Sequence, residues 1–217
     1  MQITSTTWKR KRNKMKLAKQ DKFWGNVYEI SVADDSSSSE NQVSAMNNRI
    51  YFYSEVTRPE CLSLNKNIQS MSDSLSTNAI NYGIPVPPIR LHINSYGGSV
   101  FAGLSSVDYI LSSKAPVHSI IEGCAASAAT LMSVSAEKRY IHKNAFMLIH
   151  QLSSGMWGKY EELKDDMENC ESLMQTIRGI YNEHTKIPKK KLDEILKRDL
   201  WFDAETCLQY GLVDEII

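Results

Sequence analysis

From about residue 45 onward, apolar and polar positions fall into two alternating rhythms. Arg49-Ile50-Tyr51-Phe52-Tyr53-Ser54 is an aromatic run that predicts a strand. Residues 60–76 carry Leu62, Leu64, Ile68 and Met71 at helical spacing. Pro85, Pro87 and Pro88 mark a turn, and Ile89 to Asn94 alternates as a strand should. A helix is expected over about 99–113, with Val100, Leu104, Val107 and Leu111 on one face. The unit then recurs: a strand at 117–121, a tight turn of small residues at 123–126, and a helix opened by Ser127. A strand pair is expected at 138–142 and 145–149. The clearest helix spans 159–183, where Leu163, Met167, Cys170, Leu173, Met174, Ile177, Ile180 and Tyr181 recur every three or four residues. A short helix at 189–197, another at 204–210 stopped by Gly211, and a last strand at 213–217 complete the chain. Strands alternating with helices predict an α/β fold with right-handed crossovers.

The first 44 residues follow neither rhythm. Residues 1–32 hold eight basic groups against two acids, a net +6, while the rest of the 217-residue chain holds 17 against 23, a net −6. The whole is neutral, which argues against a globally basic nucleic-acid binder. The arm lacks the apolar core of a secretory signal, and reads as a solvated tail with a short strand around 27–32. Ala33 to Asn41 is a Ser/Asp-rich linker or exposed loop. The uncharged stretch Gly123 to Ala136 has 14 residues, short of the roughly 20 that span a bilayer. The composition, 42% apolar and 23% charged, is that of a globular protein. Cys61, Cys124, Cys170 and Cys207 form no Cys-x-x-Cys pair and no zinc array, so no metal is expected. They read as reduced thiols in a cytosol-like compartment.

Two small-residue turns, each between a strand and a helix, are candidates for chemistry. Asn94-Ser95-Tyr96-Gly97-Gly98 allows close backbone approach, with N–H groups free at the coming helix to receive an anion or oxyanion. Alone it reads first as an ordinary tight turn. Gly123-Cys124-Ala125-Ala126-Ser127 sets a serine at a helix start, where it either caps the helix or presents a hydroxyl in a cleft. A nucleophile also needs a base and a group that orients the base. His150 ends an apolar strand beside a loop, where sites collect. His184 lies at a helix end, and His92, His118 and His142 read as structural or surface residues. Asp199 adjoins the aromatic run Leu200-Trp201-Phe202, which implies partial burial and a partner, or else a helix-end salt bridge with Arg198.

Residues 89–217 resemble the proteolytic subunit of the Clp protease, a serine peptidase. Four segments carry the resemblance, in the family's order: Asn94-Ser95-Tyr96-Gly97-Gly98, Gly123-Cys124-Ala125-Ala126-Ser127, Met147-Leu148-Ile149-His150-Gln151, and Arg198-Asp199 with Tyr210-Gly211-Leu212-Val213-Asp214. Tyr96 and Leu152 stand where the family usually has proline. The resemblance implies a spiral of repeated strand-strand-helix units with a protruding handle helix at about 159–183, in a catalytic domain from 45 to 217. It implies Ser127 as nucleophile, His150 as base, Asp199 as its orienting group, and the N–H groups of Gly98 and Ala128 as the oxyanion hole. It further implies stacked seven-membered rings of this chain, polypeptide substrates, and an AAA+ unfoldase as partner. ATP belongs to that partner, since this chain has no phosphate-loop motif and no cofactor of its own is expected. Rival readings are an inactive or scaffolding ring subunit, with the arm touching nucleic acid or protein, and a crotonase-type acyl-CoA enzyme of the same general fold.

Overall fold

The computed structural model describes residues 43–217. The basic arm, its expected strand around 27–32 and the Ser/Asp-rich loop lie outside the described residues. The described part is a mixed α/β structure around one eight-stranded sheet. In chain order the elements are β1 (Val43–Met46), β2 (Arg49–Phe52), α1 (Arg58–Tyr82), β3 (Ile89–Ser95), α2 (Val100–Ser112), β4 (Val117–Ala126) and α3 (Ala128–Val134). There follow β5 (Lys138–Ile141), β6 (Phe146–Leu148), α4 (Tyr160–His184), α5 (Lys189–Leu196), β7 (Trp201–Phe202), α6 (Ala204–Gln209) and β8 (Glu215–Ile216). Neighbouring strands run β1-β2-β3-β4-β5-β8, with β6 on β4 and β7 on β6. The β1–β2 and β6–β7 pairs are antiparallel, and the others are parallel. Parallel neighbours require crossovers, and α1, α2 and α3 supply three of them.

The helix ends follow cap chemistry more than apolar periodicity. Helix α1 begins earlier than the expected residue 60, because Thr57 accepts a hydrogen bond from the Glu60 N–H. It continues past 76 until Gly83, in the left-handed region at φ 63°, receives the chain. Some expected apolar faces are rotated. Leu62 and Leu111 are exposed, and the buried positions of α1 and α2 include Asn65, Ser72, Gly103 and Ser106. Small and polar residues allow these helices to pack closely, and Ser72 Oγ accepts from the Ala115 N–H at 3.0 Å. In α4 nothing before Met174 is buried, so Met167 and Leu163 project into solvent and the first half of the helix protrudes.

The largest departure is in β4. The expected small-residue turn at 123–126 is instead the second half of a ten-residue strand. Its first half pairs with β5, from His118–Lys138 to Ile121–Ile141. Its second half pairs with β6, from Cys124–Phe146 to Ala126–Leu148. The expected strand pair 138–142 and 145–149 is therefore two strands that both lie against β4. Between the halves, the β3–β4 register shifts from Ile93–Ile121 to Ser95–Ala125, leaving extra residues on β4. Gly123 makes this bend at φ +75°, close against the Asn94 side chain. Fully buried Ile50, Phe52, Ile89, Leu91, Ile93 and Ile121 form the sheet's contribution to the core. Each such side chain contributes about 1.5–3 kcal/mol on burial. No described helix is long and apolar enough to cross a membrane.

Candidate active site

Three described helices are capped by an acceptor side chain: Thr57, Ser99 and Asp203 each accept from a backbone N–H three residues on. Ser127 occupies the same position at α3 and makes no such bond. Its backbone lies at φ 53°, ψ −127°, a region that L-residues adopt at a cost of about 1–3 kcal/mol. A capping role does not require that strain. What holds the conformation is visible on both sides. The Ser127 N–H donates to Leu148 O at 2.9 Å, and the Ser127 carbonyl accepts from Thr130 twice, from N–H at 2.9 Å and from Oγ1 at 2.6 Å. The Ser127 backbone is thus held at the end of β4, and its hydroxyl makes no capping bond.

The second small-residue turn lies against the first. A Cβ added to Gly97 would sit 2.7 Å from Ser127 Cβ, 2.6 Å from Ala126 O and 3.2 Å from Ala128 N. Only glycine, here at φ +96°, permits that approach. Val56 N–H donates to Gly97 O, and Ser99 N–H donates to Val56 O, both at 2.7 Å. This is a parallel bridge centred on Gly98, so Gly98's own N–H points away from Val56. The N–H of Ala128, first residue of α3, has no partner within the helix. Two backbone donors are thereby set near Ser127.

His150 follows β6, two residues after Leu148, and its side chain is 9% exposed. Its Nδ1 is 2.7 Å from Asp199 Oδ1. Asp199 lies in the segment between α5 and β7, and β7 pairs back on β6 through Leu148–Trp201. The structure therefore brings His150 and Asp199 into direct contact and ties the Ser127 backbone to the strand that leads to His150. Partial burial of Asp199 does not hold: its carboxylate side chain is 70% exposed. The aromatic run turns along β6 instead of covering it, and Tyr96 meets Trp201 edge-on with ring centroids 6.3 Å apart.

Sequence reading missed a second polar cluster, five residues upstream of Ser127 on β4. His92 Nδ1 is 2.8 Å from Glu122 Oε1, and His142 Nε2 is 3.4 Å from the same oxygen. Tyr53 donates a hydrogen bond to Glu122 Oε2, and Tyr51 stacks on the His92 ring. The bend at Gly123 puts Glu122 at this junction of three strands, which no single-strand pattern shows. Burial opposes ionisation of Glu122, but the three donors outweigh it and hold its carboxyl below the ordinary value. No disulfide joins the four cysteines, and Cys61, Cys124 and Cys207 are buried. Burial pushes the Cys207 thiol up to about 12, which leaves it inert.

Comparison with known proteins bears on the family and the fold. The ATP-dependent Clp protease proteolytic subunit of Deinococcus radiodurans is 35% identical over 135 residues, 61% of this chain and 66% of that protein. Proteolytic subunit 2 of Treponema denticola is 36% identical over 131 residues, 59% of this chain and 66% of that one. Proteolytic subunit 3 of Streptomyces coelicolor is 36% identical over 135 residues, 61% and 62%. The matches thus span slightly less than two thirds of these relatives' lengths. Among solved structures, a ClpP1 mutant from Listeria monocytogenes superimposes with a TM-score of 0.68 at 24% identity, covering 79% of this chain and 91% of that one, and so shares the fold. A family model described as Clp protease matches residues 44–217, the part that holds both small-residue turns, His150 and Asp199, and the chain belongs to that family.

Proposed function

We propose that this protein is a serine endopeptidase, the proteolytic subunit of a Clp-type protease. The observation that carries the reading is the His150–Asp199 hydrogen bond, just beyond the strand whose Leu148 carbonyl holds the N–H of Ser127, a serine whose hydroxyl is not used as a helix cap. Ser127 Oγ attacks the carbonyl carbon of a peptide bond while His150 Nε2 takes its proton. Asp199 accepts from Nδ1–H, keeps Nε2 in the basic tautomer and stabilises the imidazolium. The oxyanion receives the N–H groups of Gly98 and Ala128, which need no reorganisation as charge develops. His150 then protonates the leaving amine. Water, deprotonated by the same imidazole, releases the acyl group.

The assembly is part of the same reading. Copies of this chain form seven-membered rings stacked in pairs, with the protruding half of α4 interleaved between rings so that Leu163 and Met167 gain cover. Polypeptides reach the enclosed sites through an AAA+ unfoldase, which consumes the ATP. Four cysteines with no disulfide between them fit a reducing, cytoplasmic setting.

The test is fluorophosphonate labelling of the purified protein, mapped by mass spectrometry, alongside Ser127→Ala and His150→Ala. The expected result is one adduct on Ser127 that is lost in both variants. An assembled, folded ring that takes no adduct overturns the peptidase reading.

A further inference from the structure

Tyr181 is the largest fully buried side chain of the described residues, and it lies near the end of α4. Its sequence position marks it only as one more apolar residue of that helix. In the structure its hydroxyl is 2.5 Å from Thr130 Oγ1, and Thr130 is itself fully buried. A hydroxyl has one proton to give. Thr130 gives its proton to the Ser127 carbonyl, at 2.6 Å. In its contact with Tyr181 it must therefore accept. The direction of the chain follows: Tyr181 O–H to Thr130 Oγ1, and Thr130 O–H to Ser127 O. Burial raises the phenol's pKa above its ordinary value, so the proton stays in place.

The consequence lies in peptide geometry. Ser127 C=O and Ala128 N–H belong to one planar trans peptide unit and point in opposite directions. Whatever fixes the carbonyl fixes the N–H. The carbonyl here is held by two donors of Thr130, one of them backed by Tyr181. Accepting these bonds also polarises the amide and makes its N–H a better donor. We infer that Tyr181 and Thr130 are positioning residues that aim the Ala128 N–H at the oxyanion formed on Ser127 attack. The inference rests on the peptidase reading above and adds to it a hydroxyl relay running from α4 to the reacting centre. Neither residue touches substrate. Their effect falls on the transition state, where the oxyanion exists, and not on substrate binding.

The experiment compares Tyr181→Phe, Thr130→Val and Thr130→Ser with the wild-type assembled protein. Hydrolysis of a fluorogenic peptide gives kcat and KM, and a peptide aldehyde, which forms a tetrahedral adduct, gives an inhibition constant. Removing an oxyanion donor outright costs about 100- to 1000-fold, and misaiming one costs less. Tyr181→Phe is expected to lower kcat about 10-fold with KM unchanged, and to weaken the aldehyde by the same factor. Thr130→Val is expected to do at least as much, and Thr130→Ser to restore wild-type kcat. If Tyr181→Phe lowers the melting temperature but leaves kcat and aldehyde affinity intact, the relay is only structural and the inference fails. It also fails if KM moves with kcat. A wild-type protein that takes no fluorophosphonate on Ser127 removes the peptidase reading, and this inference with it. A reactive wild type with an unaffected Tyr181→Phe overturns this inference alone.

Discussion

Ser127 and Leu148 are joined by a backbone hydrogen bond of 2.9 Å, from the serine N–H to the leucine carbonyl. This bond makes Ser127 the continuation of the β4–β6 ladder, one step beyond the Ala126–Leu148 pair. The backbone there has left strand geometry, at φ 53°, and turns directly into α3. A strand, a strained residue and a helix start meet within three positions. The same strand β6 delivers His150 two residues later. The relative placement of serine and histidine is therefore set by sheet pairing and does not depend on a mobile loop.

Strain at Ser127 has a measurable cost. Glycine adopts φ 53° freely, and the relief exceeds its extra unfolded-state entropy by about 1 kcal/mol. Ser127→Gly and Ser127→Ala both remove the hydroxyl, and both are expected to abolish hydrolysis. Only the glycine variant loses the strain. Calorimetry is expected to place Ser127→Gly above Ser127→Ala by about 2–4 °C for a domain of this size. Equal or reversed melting temperatures mean that the surrounding bonds do not hold the residue under strain.

Gly97 and Gly83 both have positive φ, at +96° and +63°, yet their surroundings differ. Nothing lies within 4 Å of a Cβ at Gly83, whereas at Gly97 it would overlap Ala126 O and Ser127 Cβ. Gly83→Ala is expected to cost about 1 kcal/mol from conformation alone. Gly97→Ala adds a backbone clash, with a total of roughly 3 kcal/mol or more. It is also expected to slow labelling of Ser127, because the two turns must move apart. Urea midpoints for the two variants decide the first point, and labelling rates decide the second.

Asp199→Asn tests the orienting bond. An amide can donate as well as accept, so it stabilises the tautomer that leaves Nε2 protonated and unable to act as base. In a serine–histidine–aspartate site this change costs about 10⁴ in kcat. Here the carboxylate is 70% exposed in the single chain, and water offers alternative partners. The expected loss is smaller, about 10²- to 10³-fold, with KM within about twofold of wild type. A loss under tenfold in peptide hydrolysis removes Asp199 from the site.

Much of the fold was legible because the strands β2, β3 and the start of β4 alternate or run apolar, and because Gly211 marks a helix end. The bend in β4 was not. Gly123 to Ala126 has the composition of a turn, and only pairing with β6, a contact between residues more than 20 apart, makes it a strand. Faces of α1 and α2 were misread where Asn65, Ser72 and Ser106 are buried, since periodicity counts apolar residues only. Ser127, His150 and Asp199 stood out by motif. The exposure of Asp199 did not, because burial depends on which way β7 turns. Tyr181 and Glu122 were invisible as partners. Tyr181 passed as one more apolar position of its helix, Glu122 drew no reading between the expected strand and turn, and the contacts of both come from other elements.

Glu122 gives a pH dependence of stability with a definite sign. The groups facing it are Tyr53 beyond β2, His92 on β3 and His142 beyond β5, with Tyr51 stacked behind His92. Burial works to raise its pKa, and hydrogen bonds from Tyr53, His92 and His142 more than offset that, so the folded value lies below the unfolded one. The folded state therefore prefers the ionised form. Its contribution is fully present above the ordinary glutamate value of about 4.5, and is lost as pH falls through the depressed folded value. Tyr53 has the opposite sense. Burial first, then the bond and charge of Glu122, push its hydroxyl up to about 12. Its contribution is intact below pH 10 and fades between pH 10 and about 12. Replacing Glu122 by Gln keeps the shape and removes the charge. Urea unfolding is expected to show wild type more stable than Glu122→Gln at pH 7, with the gap closing as pH drops below about 4.5. Tyr53→Phe removes one of the three donors, so the gap between Tyr53→Phe and the double variant Tyr53→Phe/Glu122→Gln is expected to be smaller at pH 7 and to close at a higher pH. A gap that does not vary with pH assigns the cluster a packing role without linkage to the Glu122 proton.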